Sequence, residues 1–205
     1  MKQFLNQAYD LTGPDQTKGL YRDWAATYDA EITANGYASP HRTAQALLGS
    51  GARLDAPLLD IGCGTGVSGL FLREAGFTQM HGSDFSPEMI NLARDKGVYD
   101  EIFTADLHRP FDFITIDYQT IAAIGVLAPG HAQPDIIPAV MKLLPPGGLF
   151  AFSMNDHTMD DPGYDSEMHR LVMSGEARVR WRDYGDHLPK INLRSMIVVL
   201  EKLAS

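Results

Sequence analysis

The chain has a single cysteine, Cys63, and no long hydrophobic run among its 205 residues. One cysteine excludes an internal disulfide and any zinc site that needs several cysteines. No apolar run approaches the ~18 residues that a membrane-spanning helix requires, and the N-terminus lacks the charged-then-apolar layout of a signal peptide. From these absences we expect a cytoplasmic protein with no membrane partner.

Basic side chains are also scarce, with 17 lysines and arginines against 26 aspartates and glutamates. The resulting net charge of −9 repels phosphate backbones, so we expect no nucleic-acid partner. A hydrophobic fraction of 44% and a charged fraction of 21% are ordinary for a globular protein. The length fits a single domain, residues 1–205, and no pattern specifies an oligomeric state.

Strands and helices are predicted to alternate through most of the chain. Apolar side chains at every fourth position predict a helix over residues 20–32, and a second helix should cover residues 40–48. Apolar runs bounded by turn residues then predict strands at residues 57–61, 79–83, 101–105, 118–124, 149–154, 178–184 and 195–201, with residues 111–116 also strand-like. Intervening helices are expected at residues 67–75, 86–97, 135–144 and 165–173. Repeated β–α units indicate a mostly parallel sheet with helices on both faces.

The most informative motif joins a predicted strand to a predicted helix. It is the loop Asp60-Ile61-Gly62-Cys63-Gly64-Thr65-Gly66. Its three glycines let a ligand lie against the backbone, and the following helix offers unpaired amide groups. A glycine-rich turn without a ligand is the alternative. An acidic residue and three glycines within seven positions favour the ligand site.

Two nucleotide cofactors are compatible with this loop. Gly64, Gly66 and Gly69 have the spacing of dinucleotide-binding loops. In those loops, however, the first glycine directly follows the strand, whereas Asp60-Ile61-Gly62 intervenes here. A carboxylate at Asp60 would face a pyrophosphate badly but suits the ammonium group of a methionine moiety. Charge complementarity therefore favours S-adenosylmethionine.

Acidic residues also end the second and third predicted strands. Asp84 could accept hydrogen bonds from both ribose hydroxyls, or it could simply supply negative charge to the start of the next helix. Phe85 and Met89 could sandwich the adenine, although Met89 suits the core equally well.

The third strand ends in Ala105-Asp106-Leu107. Asp106 could accept from the adenine amino group while the amide of Leu107 donates to a ring nitrogen, or Asp106 could be a turn residue.

These features resemble the class I S-adenosylmethionine-dependent methyltransferases over roughly residues 20–155. The glycine loop, Asp84, Ala105-Asp106, the fourth strand end at Ile124 and the turn Pro146-Gly147-Gly148 follow the order of that family. The N-terminal segment Tyr21-Arg-Asp-Trp24-Ala-Ala-Thr-Tyr28-Asp29 is similar to the methyltransferase-like proteins named for the Williams–Beuren region.

The resemblance implies a Rossmann-like α/β fold with a mostly parallel seven-stranded sheet and an N-terminal helical lid. Residues 1–48 would form the lid, 55–155 the cofactor-binding core and 156–205 the acceptor-side strands. The implied cofactor contacts are Tyr21, Trp24, Tyr28, Asp60, Gly62, Gly64, Thr65, Gly66, Asp84, Phe85, Met89, Ala105, Asp106, Leu107 and Ile124. Ordinary helix core is the alternative for the aromatic residues of the lid. Helix core is the favoured role for Trp24 taken alone, whereas both roles are equally compatible with Tyr21 and Tyr28.

Two departures from the family bear on the reaction. Tyr118-Gln119 stands where the family usually has Phe-Asp, a position that serves the scaffold. The chain also lacks an Asn-Pro-Pro-Tyr or Asp-Pro-Pro-Tyr motif, which disfavours methylation of exocyclic base nitrogens or glutamine amides of that type.

Three functions fit the sequence. The leading one is methyl transfer from S-adenosylmethionine to an acceptor, a small molecule slightly favoured over a protein. The others are an NAD(P)-dependent oxidoreductase and a non-catalytic, cofactor-binding regulator. Candidate bases near the expected cleft are Tyr21, His131, Asn155 and His157, but none has a pattern that assigns it, and we expect no metal site.

Overall fold

A computed structural model describes residues 19–20, 24–105, 116–128 and 131–204 of the chain. Seven strands form one sheet: β1 (Leu58–Ile61), β2 (Met80–Asp84), β3 (Glu101–Thr104), β4 (Thr120–Leu127), β5 (Leu149–Asn155), β6 (Ala177–Leu188) and β7 (Leu193–Lys202). Their order across the sheet is β3-β2-β1-β4-β5-β7-β6. The first five strands are parallel, and β7 runs antiparallel to both of its neighbours. The predicted Rossmann-like, mostly parallel sheet of seven strands is confirmed.

Helices cover both faces of this sheet, as the β–α alternation predicts. They are α1 (Tyr28–Ala34), α2 (Ser39–Gly49), α3 (Val67–Glu74), α4 (Pro87–Lys96), α5 (Ile136–Leu143), α6 (Asp156–Met159) and α7 (Pro162–Met173). On one face, buried residues of α2, α3 and α4 pack against the strands. On the other face, α5 and α7 supply the apolar side chains. Each face of the sheet therefore has its own hydrophobic core.

The local signals at α4 act as the sequence predicts. The Ser86 hydroxyl accepts a hydrogen bond from the Met89 amide at 3.3 Å and so caps the first turn. Gly97 ends the helix at φ +61, a left-handed conformation that favours glycine. These two residues fix where the helix begins and ends.

The N-terminal helix differs from its prediction. Gly19, Leu20 and Trp24 are helical, residues 25–27 form a turn, and α1 begins at Tyr28. The Thr27 amide donates to the Trp24 carbonyl at 2.9 Å, which closes this turn. Apolar spacing predicts one continuous helix over residues 20–32. The structure instead has a turn at residues 25–27, before α1.

The fourth strand also differs, because it continues past its predicted end at residue 124. Gly125 has φ +73 and lies at a register irregularity, after which β4 pairs with β5 again at Leu127. A glycine that permits a bulge lets the strand bend without ending.

Some expectations lie outside the described residues. These include residues 1–18 of the expected lid and most of the strand-like run 111–116, of which only Ile116 is described, in a bend. Among the described residues, no helix has the length and apolar character needed to cross a membrane.

The strand order places the ligand crevice. After β1 the chain adds β2 and β3 on one side of that strand and then places β4 on its other side. The strand order therefore reverses between β1 and β4. Open α/β sheets bind ligands outside the carboxyl ends of their strands at such a reversal. The loop after β1 and the end of β4 lie at this point.

Candidate functional site

The loop between β1 and α3 depends on glycine for its shape. Gly62, Gly64 and Gly66 have φ values of +66, +53 and +86, a backbone conformation that residues with side chains rarely adopt. A Cβ atom at Gly62 would lie 2.5 Å from Cγ2 of Val126, whereas one at Gly64 would have no atom within 4 Å. The backbone at Gly64 therefore faces open space, where a ligand can approach it closely.

Asp60 lies beneath this loop and is fully buried. Its Oδ2 atom accepts hydrogen bonds from the Ser68 hydroxyl and the Tyr99 hydroxyl, both at 2.6 Å. Its Oδ1 atom has no partner among the described residues. Burial raises the pKa of Asp60 to about 6, because desolvation disfavours the charged form. A buried carboxylate oxygen without a partner is costly unless a ligand supplies positive charge.

Tyr99 fills the space that three glycines leave behind the loop. A Cβ atom added at Gly69 would lie 2.5 Å from the Tyr99 hydroxyl oxygen. Cβ atoms added at Gly82 and Gly66 would lie 3.2 Å and 3.5 Å from the Tyr99 ring. This packing explains why α3 does not bury its apolar residue Leu70. Leu70 is 44% exposed, and the helix instead buries Ser68, Gly69 and Leu72.

Asp84 lies where predicted, at the end of β2 beside the glycine loop. Its Oδ2 accepts from the Gly64 amide at 3.0 Å and its Oδ1 from the Ser86 amide at 2.8 Å. Burial raises the pKa of Asp84 above its usual value. A carboxylate has about four acceptor positions, so Asp84 can still accept from another donor such as a ribose hydroxyl. Asp84 therefore positions the glycine loop and the start of α4, whether or not it also binds a ligand.

The remaining predicted contact residues fall into three groups. Phe85 is half-buried next to Asp84, and Ala105 donates its amide to the Asp84 carbonyl at 2.9 Å. Met89 and Ile124 are buried in the protein, with exposed fractions of 1% and 6%. Tyr21, Asp106 and Leu107 lie outside the described residues.

Polar contacts join α1 to the glycine loop. The Thr65 hydroxyl donates to Oδ1 of Asp29 at 2.5 Å, and the Lys96 ammonium lies 2.7 Å from Oδ2 of the same carboxylate. The Lys96 ammonium also donates to the Thr65 carbonyl at 2.6 Å. We call Asp29, Thr65 and Lys96 the lid contact. It connects α1 with the glycine loop and the end of α4.

Apolar side chains extend this connection. Trp24 is 2% exposed and packs in a cluster with Ile32, Leu188 and Leu193, against which Tyr28 and Val67 also lie. The rings of Trp24 and Tyr28 meet edge to face at 4.7 Å. Trp24 thus packs as core, the interpretation that the sequence favours for it taken alone.

A buried polar network lies beside Tyr37. Nδ1 of His187 and the Ser39 hydroxyl are 2.7 Å apart, and the Ser39 and Ser195 hydroxyls are 2.9 Å apart. Burial lowers the pKa of His187 to about 4, so the imidazole is neutral at pH 7. The Tyr37 ring meets His187 edge to face at 5.2 Å.

The residues first considered for chemistry have other roles or surroundings. Asn155 accepts from the Thr158 amide at 3.0 Å and caps α6, while His157 is exposed. Burial, together with the charges of Asp60 and Asp84, holds the pKa of the Cys63 thiol well above its usual value, so Cys63 is a packing residue rather than a thiolate. Among the described residues no three His, Cys, Asp or Glu side chains form a metal-binding group.

No motif or spacing in the sequence indicates a role for Tyr99, Ser68, Lys96 or His187. An indirect signal exists for Tyr99, because Gly69 and Gly82 lie inside a helix and a strand, where glycine indicates a close neighbour. Contacts between residues far apart in the chain could not be read from spacing.

The fold and the loop together define a Rossmann-like protein that binds a nucleoside cofactor at the carboxyl edge of its sheet. The residues fit S-adenosylmethionine, because Gly64 leaves room for a ligand and Asp60 has an unpaired buried oxygen.

Comparison with known proteins identifies the family. A family model described as a methyltransferase domain matches residues 37–203, so the chain belongs to that family and is an S-adenosylmethionine-dependent methyltransferase. Human methyltransferase-like protein 27 is 28% identical over 185 residues, covering 86% of this chain and 75% of its own length. A Dictyostelium discoideum protein named "Probable 18S rRNA (guanine-N(7))-methyltransferase" is 33% identical over 70 residues, covering 34% of this chain and 24% of its own length.

Solved structures share the fold at low sequence identity. The [4+2]-cyclase SpnF has a TM-score of 0.68 and 13% identity, covering 95% of this chain and 99% of its own. Magnesium protoporphyrin IX methyltransferase from Synechocystis, solved with bound S-adenosylmethionine, has a TM-score of 0.55 and 17% identity, covering 91% of this chain and 83% of its own. At these identities the likeness concerns the fold alone. One match is a cyclase, so the fold itself does not determine the reaction.

Proposed function

We propose that the chain methylates a small molecule, held between the glycine loop and the lid formed by residues 1–48. The observation that carries this proposal is the lid contact, in which Asp29 joins α1 to Thr65 and Lys96. A segment held over the glycine loop by these contacts would enclose the acceptor beside the cofactor. An enclosed space suits a small acceptor better than a folded protein surface.

Specific residues would hold the cofactor in this proposal. The open backbone at Gly64 would lie against it, Asp84 would accept from its ribose, and Asp60 would face the charge of its methionine amine. Phe85 would lie near its adenine, as would the chain after Ala105. The core at residues 55–155 would then bind the cofactor, and the strands at residues 156–205 would lie on the acceptor side.

The cofactor supplies a methyl group already activated by its sulfonium. The chain must therefore align the acceptor with that methyl group and exclude water. The apolar cluster of Trp24, Ile32, Leu188 and Leu193 would exclude water beside the start of α3.

A nucleic-acid acceptor is one outcome of the test, because one relative is named as a probable rRNA methyltransferase, although the net charge of −9 disfavours such an acceptor. The experiment incubates the full chain with S-adenosylmethionine labelled in its methyl group and a cell extract. The extract is then separated into small-molecule, protein and nucleic-acid fractions. The expected result is label among the small molecules.

Label confined to protein or nucleic acid would refute the small-molecule acceptor while leaving methyl transfer intact. Binding of S-adenosylhomocysteine without transfer to any fraction would favour the regulatory function. The Gly64→Val variant is the binding-deficient control, since a side chain would occupy the open space and would strain the backbone at φ +53, and it should abolish transfer.

A further inference from the structure

Tyr99 contacts the glycine loop from behind and reaches the one carboxylate that lies beneath it. We propose that Tyr99 is a positioning residue whose hydroxyl holds Asp60 in its ionised form and thereby sets the pH range over which the protein binds the methionine end of its cofactor. This inference rests on the proposed function, in which Asp60 faces the cofactor amine.

The geometry of Asp60 supports this role. Two hydroxyls, from Ser68 and Tyr99, donate to the same oxygen, Oδ2, at 2.6 Å each. The other oxygen, Oδ1, is buried and has no partner among the described residues. Both donors therefore stabilise negative charge on the carboxylate and leave one oxygen for a positively charged ligand group.

The surroundings of Asp60 otherwise oppose its charge. The ionisable groups that act on it are Asp84 at the end of β2, Cys63 in the loop and Tyr99 after α4. No cation among the described residues forms an ion pair with Asp60, and burial disfavours ionisation most strongly. The two hydroxyl donors are thus what keeps the pKa of this buried carboxyl as low as about 6.

Tyr99 is held rigidly enough to perform this function. Its side chain is buried, and its ring fills the space beside Gly66, Gly69 and Gly82. Phenylalanine at this position would keep the ring and its packing while removing only the hydroxyl. The Tyr99→Phe variant therefore separates the hydrogen bond from the packing.

The test measures the dissociation constant of S-adenosylhomocysteine by calorimetry between pH 5.5 and 7.5. With a pKa of about 6 for Asp60, the wild-type chain should lose affinity about fourfold over this range as the pH falls. Loss of one hydrogen bond to a charged group is worth about a tenfold change in an equilibrium constant, which raises the midpoint by about one pH unit. The Tyr99→Phe variant should then lose affinity about 25-fold.

Three further variants complete the design. Ser68→Ala removes the second donor and should move the midpoint in the same direction. Asp60→Asn should bind weakly and without this pH dependence. Tyr118→Phe is the matched control, because the Tyr118 hydroxyl bonds His81 at 2.7 Å instead of Asp60, and its midpoint should equal that of the wild type. Titration of the ligand is common to all variants and cancels.

The outcomes separate the inference from the proposed function. An unmoved midpoint in Tyr99→Phe, with affinity reduced equally at every pH, would mean that Tyr99 only packs the loop and would overturn the inference. Absence of S-adenosylhomocysteine binding by the wild-type chain at any pH would instead overturn the proposed function. A shifted midpoint in Tyr99→Phe and an unshifted one in Tyr118→Phe support the inference.

Discussion

Replacing Asp84 by alanine tests both roles that the structure gives this residue. The carboxylate accepts from the amides of Gly64 and Ser86, at 3.0 and 2.8 Å, and is 7% exposed. Each hydrogen bond to a charged group contributes about 1.5–3 kcal/mol, and burial of the charge offsets part of that gain. We therefore expect Asp84→Ala to lower the free energy of unfolding by about 2–4 kcal/mol.

The same variant should also weaken cofactor binding. Loss of a charge-assisted hydrogen bond to the ribose should reduce S-adenosylhomocysteine affinity about 10- to 100-fold, and displacement of Gly64 would add to the loss. Calorimetry gives the affinity, and urea denaturation gives the stability. Unchanged affinity would contradict the ribose role.

A matched control lies at the other end of the same strand. Asp100 accepts from the Met80 amide at 2.7 Å, but its side chain is 51% exposed and it does not touch the glycine loop. Asp100→Ala should lower the free energy of unfolding by less than about 1 kcal/mol, because water replaces the lost hydrogen bond. The affinity for S-adenosylhomocysteine should be unchanged. If Asp100→Ala destabilises the protein as much as Asp84→Ala does, the argument from burial is wrong.

Three further predictions concern packing, the lid and pH. Gly69→Ala should destabilise the protein by about 1–3 kcal/mol despite a helix-propensity gain of about 1 kcal/mol, because the new Cβ would meet Tyr99; a more stable variant in urea would contradict this. Asp29→Asn should change stability by less than about 1 kcal/mol yet speed dissociation of S-adenosylhomocysteine in stopped-flow fluorescence, since it weakens the lid contact. An unaltered dissociation rate would show that the lid contact does not retain the cofactor. His187 binds its proton more weakly in the folded chain, so its contribution to stability is present above pH 6.5 and is lost as the pH falls toward 4. Between pH 7 and pH 5 the free energy of unfolding of the wild-type chain should fall by about 2 kcal/mol more than that of His187→Gln. Equal decreases measured by urea denaturation would contradict the lowered pKa of His187.

Much of the fold could be predicted because local signals determine it. Alternation of apolar runs with turn residues predicts most strands of the sheet, and Ser86 and Gly97 predict the ends of α4. A strand end differs from its prediction where the same residue is compatible with two local structures. Gly125 is compatible with a strand end or with a bulge, and only the pairing with β5 decides between them.

Less of the candidate site could be predicted, because it combines local and distant residues. The glycine loop and Asp84 are visible as motifs, since their chemistry depends on close spacing. Tyr99 and His187 carry no local signal and acquire their roles from partners far along the chain. Hydrophobicity alone would favour burying Leu70 of α3, whereas contact with Asp60 and Tyr99 requires small residues on the buried face.

The Ser39, His187 and Ser195 network joins parts of the chain that are synthesised far apart. Ser39 meets its partners across sequence separations of 148 and 156 residues. During translation α2 therefore emerges long before β7, against which it must dock, and domains complete their packing only when such distant contacts can close. A nascent chain halted before residue 195 would lack the β7 residues against which Ser39 docks, so α2 should pack stably only once β7 has been synthesised.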